Sequence, residues 1–390
     1  MVMRICAVVM TLWLFLGLGG SALAFDDHMD YEIPPSVSAR GRVLEILSTE
    51  LYHTSYGMDT YRDLIMVRIT DGPFRGKEVQ VEHFRSGHPA YDFEVKAGER
   101  VLLLAELDGD RLGQVYIESP LRDHYLWYLA ALFVVLLVLL GGRQGAKAVL
   151  SLVIIVLVGV RLLMPLLLRG YSPILLSVTA TALVSTLVLG IIGGPNRKTL
   201  IAIVGTTGGV MAAGALAALV GHGASLTGLS GEEAQMLLYI PQAVDFDFRG
   251  LLFAGIIISA LGAVMDVGMS VASSMHEICR VSRPSPRQLF ISGMNVGRDI
   301  MGTMSNTLIL AYAGGAIPLI LLFMAYDTPF IRIINMDIIA TEVVRALAGS
   351  VGLVLCVPIT ALAGALLMDR DTSARVSGAR PEDAQVSGDS

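Results

Sequence analysis

The stretch SALGAVMDVGMSVASSMHE, residues 259–277, places an aspartate and several serines inside strongly apolar sequence. Its small and polar residues recur at intervals of three and four, which puts them on one face of an α-helix. An ionised aspartate at the centre of a bilayer costs about 3 kcal/mol. This face is therefore predicted to contact protein or water rather than lipid. It consists of Ser259, Gly262, Asp266, Ser270, Ser273 and Glu277.

The composition around this stretch is that of an integral membrane protein. Of the 390 residues, 54% are hydrophobic and 16% are charged, whereas soluble domains contain roughly 25% charged residues. The mean hydropathy is +0.66. The net charge of -6 gives no basic surface for nucleic acid. The lipid bilayer is thus the first predicted partner, and nucleic acid is excluded.

Apolar stretches of about 20 residues, the length that crosses the hydrocarbon core, recur from residue 125 onward. We expect an α-helical polytopic membrane protein whose transmembrane helical domain covers residues 125–368. Seven spans are predicted, at residues 125–142, 147–168, 173–193, 199–220, 250–274, 301–325 and 343–367.

The N-terminal part is predicted to be exported. Residues 1–24 have one arginine, an apolar run and a small-residue end, which is typical of a cleaved signal peptide, although an uncleaved anchor remains the alternative. Residues 25–38 form a polar linker. Residues 39–119 contain five short alternating runs separated by turn residues, which predicts a small, closed or partly closed, OB-like antiparallel β-barrel.

Basic residues between the spans predict the orientation. Arg280, Arg287 and Arg298 lie in one such connection, and most other basic residues of the connections fall on that same side. The positive-inside rule makes this side cytoplasmic, in agreement with an extracytoplasmic N-terminal domain. The C-terminus is then cytoplasmic, and residues 369–390, which are poor in apolar residues, are predicted to be disordered.

A second polar stripe follows the first, in NVGRDIMGTMSNTLILAYAGG, residues 295–315. Asn295, Asp299 and Asn306 share one helical face with Gly302, and two consecutive antiparallel helices are natural neighbours. We therefore expect the stripes to face each other, with an ion pair between Glu277 and Arg298. The candidate intramembrane polar pathway comprises Ser259, Asp266, Ser270, Ser273, Glu277, Asn295, Arg298, Asp299, Asn306 and Thr307.

Two connections carry further expectations. Asp245 and Asp247 are candidate external acids at the entrance to the fifth span, or else ordinary interfacial residues. Ser230 and Glu233 have capping-box spacing, which predicts a short helix over residues 231–239. The segment RVSRPSPRQLFISG, residues 280–293, is an interfacial or partly re-entrant element, or else an ordinary cytoplasmic loop.

The sequence predicts no enzyme and no cofactor. The motifs of serine hydrolases, zinc proteases and P-loop nucleotide-binding proteins are absent. His222 and His276 have no second ligand four residues away, so no metal site is predicted.

Three motifs resemble YibE/F-like multi-pass membrane proteins: GAVMDVGMSVASSMHE, NVGRDIMGTMSNTLILAYAGG and VGLVLCVPITALAGALL. The resemblance covers most of the chain from about residue 125, and the exported barrel is consistent with it. It implies a protein of the bacterial inner (cytoplasmic) membrane and, by analogy, a transporter. It carries over no binding or catalytic residue.

Two functional hypotheses follow. The first is a permease of ions or small solutes whose polar pathway runs between the fifth and sixth spans, with Asp266 binding a cation or a proton. The second is a non-transporting membrane scaffold whose external barrel recruits a partner. A homo-oligomer and an extracytoplasmic protein partner are compatible with both. An enzyme acting on a lipid-borne substrate is the third and weaker hypothesis.

Overall fold

The chain forms two compact units, and the boundary between them in the sequence lies between Leu136 and Leu137. The computed structural model describes residues 36–53, 59–88, 90, 92–109, 111–240, 246–282 and 284–377. The predicted signal peptide, most of the predicted linker and the end of the predicted tail lie outside these residues.

The first unit contains a sheet of five antiparallel strands. They are β1 (Ser36–His53), β2 (Asp59–Ile69), β3 (Glu78–Arg85), β4 (Arg100–Asp108) and β5 (Arg111–Pro120). The hydrogen-bonded order is β3-β2-β1-β4-β5, and the two outer strands also contact each other, so the sheet curls into a half-barrel. The predicted five strands are confirmed, and β1 begins inside the predicted linker.

Strict alternation builds the core of this half-barrel. On β2, Ile65 and Val67 are fully buried, and on β4 Val101 and Leu103 are 1% and 0% exposed. Gly41 on β1 lies between these two strands, and a Cβ there would come within 2.6 Å of the Leu103 side chain. Only glycine therefore lets the neighbouring side chains meet over β1 at this point.

A buried ion pair joins β2 to β3. Asp63 is 5% exposed, and its carboxylate accepts hydrogen bonds from Arg85 Nε at 2.7 Å and from Thr49 Oγ1 at 2.6 Å. Burial alone would raise the pKa of Asp63, but the hydrogen bonds from Arg85 and Thr49 outweigh it and hold this pKa below its ordinary value. The ionised pair is thus the stable form.

The second unit is helical. In chain order the helices are α1 (Asp123–Leu157), which begins in the first unit, a π-helical turn (Val158–Leu163), α2 (Met164–Leu168), α3 (Pro173–Gly193), α4 (Arg197–Gly223), α5 (Glu232–Met236), a 3-10 turn (Leu237–Tyr239), α6 (Phe248–Val281), α7 (Pro286–Gly315), α8 (Ile317–Ala325), α9 (Phe330–Ile334) and α10 (Asp337–Ser377). The predicted tail therefore starts as a continuation of α10.

Within the described residues, five helical stretches are long and apolar enough to cross a membrane. A sixth results if α7 and α8, which are bent by 57° relative to each other, form one span. The stretches are Asp123–Leu168, Pro173–Gly193, Arg197–Gly223, Phe248–Val281 and Asp337–Met368. The expected apolar helical region is present, with five or six candidate spans where seven were predicted.

The difference in number lies mainly in the first stretch. Its 46 residues include both of the first two predicted spans, but Gly142 interrupts them with a φ of 54°. A side chain is strained in this conformation, whereas glycine adopts it readily. Gly145 then packs against the backbone of Leu137 and Val138, which shows that the chain turns back sharply at this break.

Helix α6 packs against four others, α3, α4, α7 and α10. Its buried residues, among them Ile257, Val264 and Val271, form the main core of the second unit. Behind it, α4 crosses α10 closely, since a Cβ on Gly352 would lie 2.7 Å from the Gly209 carbonyl oxygen. Small residues thus let these backbones approach each other.

Helix α7 begins earlier than the predicted sixth span of residues 301–325. Ser285 and Gln288 form a reciprocal capping box, and Pro286 occupies the first turn. These start signals make residues 286–293 helical, so an ordinary loop over the whole predicted segment of residues 280–293 is wrong, and only the short connection between α6 and α7 lies outside these two helices. The helix ends at Gly315, where the bend to α8 follows.

The connection between α4 and α6 contains the predicted short helix. It is α5, followed by one 3-10 turn ending at Tyr239. The residue before it is Gly231, which makes no side-chain cap, so the predicted Ser230–Glu233 capping box is not what starts this helix.

Breaking the Asp63–Arg85 pair is expected to destabilise the half-barrel. Asp63→Asn leaves the half-buried Arg85 guanidinium without the carboxylate to which it is hydrogen-bonded, which costs about 3 kcal/mol and lowers amide protection in β2 and β3 roughly 100-fold. Hydrogen exchange of the full-length protein in detergent measures this. Arg68→Gln, which breaks the exposed Arg68–Glu78 pair on the same strands, is the matched control and should cost about 1 kcal/mol or less.

The pH dependence of the same exchange has a definite sign. Because the pKa of Asp63 is below 3.8 in the folded protein, the stabilisation is complete above about pH 5 and is lost as the pH falls through the folded pKa. Wild type should lose protection in acid, and Asp63→Asn should lack this component. An equal acid loss in both proteins would contradict the assignment.

Candidate functional site

The candidate site is built on α6, whose start is fixed by Asp247. The carboxylate of Asp247 accepts a hydrogen bond from the Gly250 backbone amide at 2.8 Å and so caps the helix. This cap is the observed role of one of the two candidate external acids. The other, Asp245, lies outside the described residues.

The polar stripe of α6 lies on the surface of the single chain. Ser259, Gly262, Asp266, Ser270 and Glu277 are all exposed, and Ser273 is half-buried. The opposite face carries the apolar residues that form the core. The helix therefore buries its apolar side and leaves its small and polar side open.

Other spans present the opposite kind of surface. The exposed positions of α3 include Leu175 and Leu183, and those of α10 include Leu347, Leu362 and Leu366. These faces suit hydrocarbon, as expected of helices at the edge of a membrane bundle. On α6 the only large apolar residues that are exposed are Ile258 and Val281, so its open face is chemically different.

Helix α7 extends the open polar surface. Its buried residues are Leu289, Gly293 and Gly297, and a Cβ on Gly297 would collide with Val357 of α10. Gly293 and Gly297 thus face the bundle. Exposed positions include all five predicted site residues of this helix, Asn295, Arg298, Asp299, Asn306 and Thr307.

One hydrogen bond joins the two polar helices. The hydroxyl of Tyr312 on α7 donates to Ser259 Oγ on α6 at 2.8 Å. Tyr312 was not among the predicted site residues. A tyrosine hydroxyl inside an apolar run needs a polar partner, and that requirement was the available signal for it.

The predicted ion pair between Glu277 and Arg298 is wrong. Glu277 instead pairs with Arg280, whose Nη1 lies 3.1 Å from Glu277 Oε1. Arg298 donates to Asn295 Oδ1 at 3.1 Å. Each side chain finds its partner three residues away on its own helix, where the distance is short regardless of how α6 and α7 pack.

Asp266 is the deepest acid of this surface. At about 1.5 Å per residue, it lies roughly 27 Å from the start of α6 and roughly 22 Å from its end. Among the described residues, no hydrogen bond or ion pair involves its carboxylate. The neighbouring exposed positions Gly262 and Ser270 are small, so an ion or a water molecule has room to approach.

The described residues of this surface do not form a metal site or a cluster of acids. Within the described part of the chain, no three histidine, cysteine, aspartate or glutamate side chains come together as a metal site requires. The acids of α6 and α7 are spread along the helices, with Asp266 remote in sequence from Glu277 and Asp299. The arrangement suits a row of separate polar contacts rather than one tight centre.

Residues 129–370 match the family model described as YibE/F-like protein. This range contains both polar helices, α6 and α7. No curated protein and no solved structure matches the chain.

Thiol labelling tests whether the open face of α6 meets lipid. We expect Gly262→Cys to react with a charged methanethiosulfonate roughly tenfold or more faster than Leu355→Cys, since thiolates form in water and not in hydrocarbon. Both are measured in a chain whose native cysteines are replaced by alanine. Leu355 is a matched control, because the adjacent Cys356 contacts the Val264 carbonyl oxygen and so lies at similar depth.

Equal reaction rates at the two positions, without disulfides between two chains, would show that the open face of α6 meets lipid. If neither cysteine reacts but Gly262→Cys forms disulfides between two chains, the face is covered by a second copy, which still excludes lipid.

Proposed function

The chain belongs to the YibE/F-like protein family, and we propose that it is a permease of ions or small solutes. The polar surface of α6 and α7 supplies the pathway in this proposal. The single observation that supports it most strongly is an aspartate near the middle of a long apolar helix, on a face that the described residues leave open. Ionisable residues at membrane depth commonly mark ion or proton pathways.

The proposed topology has seven spans. Gly142 divides the first helical stretch into two crossings, and α7 with α8 provides another. An uninterrupted first stretch of 46 residues would be far longer than the roughly 20 residues that one crossing needs. In this topology the protein lies in the bacterial inner membrane, a signal peptide exports the OB-like half-barrel, and the C-terminus is cytoplasmic.

Asp266 is proposed as the group that binds the cation or accepts the proton. A carboxylate without a fixed cationic partner at this depth is costly when ionised, so a passing cation or proton lowers its free energy. Ser270 on the next turn of α6, with Asn306 and Thr307 on α7, offers oxygen and amide contacts along the same surface. These groups hold an ion weakly and in succession, which conduction requires.

The proposed pathway also needs a second protein surface to enclose it, because most polar residues of α6 and α7 are exposed in the single chain. We propose that a second copy supplies this surface by placing its own α6 and α7 against the first. Small residues such as Gly255 and Gly262, whose Cβ positions are in open space, allow close approach of a second helix.

A flux assay with full-length protein in liposomes tests the proposal. The assay screens protons, monovalent cations, divalent cations and small solutes, and compares wild type with Asp266→Asn. We expect one of these fluxes to be present in wild type and lost at least about tenfold in the variant, because the amide cannot carry the charge or the proton.

Asp108→Asn, an equivalent change at an exposed site in the half-barrel, is the matched control and should retain the flux. An Asp266→Asn protein that transports as wild type does would overturn the role of Asp266. If no solute moves and the variant is only less stable, the polar surface is a packing surface, as in the scaffold hypothesis.

A further inference from the structure

A row of arginines crosses the outer face of the half-barrel. In the strand register Arg42 on β1 lies opposite both Arg68 on β2 and Arg100 on β4. Directly opposed residues have their Cβ atoms about 5 Å apart and share one face of the sheet, so like charges in this arrangement are unfavourable. An anion bound between two of these guanidinium groups would replace their mutual repulsion with attraction to the anion.

The row is only partly neutralised by the protein. Arg68 pairs with Glu78 at 2.7 Å. Among the described residues, the guanidinium groups of Arg42 and Arg100 have neither an ion pair nor a hydrogen bond with an acid. Both side chains are exposed, and their charges are therefore available to a ligand.

A cleft of about 440 Å³ lies beside these two arginines. Its lining includes Arg40, Arg42, Arg100, His124, Trp127 and Tyr128. One carboxylate, that of Asp123, also lines it, but Arg40 Nη2 lies 2.9 Å from this carboxylate and balances its charge. The uncompensated charges that remain in the lining are those of Arg42 and Arg100.

The aromatic side of the cleft belongs to the start of α1. Trp127 and Tyr128 lie one turn into this helix, about 6 Å along its axis from Asp123. The interfacial layer of a bilayer is of similar thickness, and tryptophan and tyrosine are enriched there. The cleft thus combines two arginines that have no acidic partner among the described residues with two aromatic rings of the kind that is enriched at the level of lipid headgroups.

We propose that this cleft binds a phosphate group, with Arg42 and Arg100 as its ligands. Guanidinium groups bind phosphate oxygens through paired, charge-assisted hydrogen bonds. The phosphate belongs either to the headgroup of an anionic phospholipid, whose glycerol and first methylenes contact Trp127 and Tyr128, or to a soluble phosphate compound. The site is separate from the polar surface of α6 and α7, and it stands whether or not the chain is a permease.

Trp127 provides the signal for a binding experiment. The chain has two tryptophans, so Trp13→Phe leaves Trp127 as the sole tryptophan fluorophore. Full-length protein in a neutral detergent is titrated with dioctanoyl phosphatidylglycerol, with dioctanoylglycerol, which lacks the phosphate, and with inorganic phosphate. We expect saturable binding of the phospholipid and none of dioctanoylglycerol.

Charge-matched variants identify the ligands. Arg42→Gln with Arg100→Gln should weaken phospholipid binding at least about tenfold. Arg75→Gln with Arg111→Gln removes the same charge from exposed positions elsewhere on the unit and should leave binding unchanged. Arg42→Lys with Arg100→Lys keeps the charge and should retain part of the binding.

The results of these titrations distinguish a phospholipid headgroup from a soluble phosphate compound, and they can refute the proposed site. Tighter binding of phosphatidylglycerol than of inorganic phosphate assigns a lipid headgroup, and equal binding assigns a soluble phosphate. Equal responses to phosphatidylglycerol and dioctanoylglycerol would refute the proposal, and so would equal losses in the two glutamine double variants. In wild type, binding that does not weaken between about 0.05 M and about 0.5 M salt would refute it too.

Discussion

The cost of placing a carboxylate against hydrocarbon governs how the helical unit can be arranged in a membrane. At the centre of a bilayer this cost is about 3 kcal/mol for one ionised aspartate, and serines and backbone around it gain nothing from lipid. Asp266 lies near the middle of α6, so its surroundings must be water, protein or a bound ion. The packing of α7 is consistent with this requirement, since its exposed polar residues, among them Asn306 and Thr307, extend the polar face of α6.

The packing explains why the polar face is open. Helix α6 uses its apolar side to contact α3, α4 and α10, and glycines at the crossings let these helices approach closely. Turning α6 to bury Asp266 would expose Ile257, Val264 and Val271 and would place a carboxylate in a core that offers it no cation. The observed orientation avoids both costs, but it leaves a surface that one chain cannot cover.

Periodicity in the sequence was enough to predict which residues of α6 and α7 share a face, because helical spacing is a local property. It could not tell which way each face points, because that depends on the packing of several helices at once. The prediction of a Glu277–Arg298 ion pair was wrong for the same reason. Each of these two side chains instead has a partner three residues away on its own helix. The five strands were predictable from alternation, and the predicted end of the first span at residue 142 coincides with the break at Gly142, although its φ of 54° could not be read from the sequence. The arginine row was also hidden, because Arg42, Arg68 and Arg100 are neighbours only in the strand register.

The face of Asp266 is expected to meet water or protein and not lipid. Spin labels placed singly at residues 255–270 of α6, in the full-length protein in liposomes, test it most directly through collisions with oxygen, which concentrates in lipid. We expect oxygen accessibility to stay low at Gly262, Asp266 and Ser270, with no lipid-type maximum on their face. Oxygen accessibility that peaks at these three positions with a helical period would show instead that the face lies against lipid.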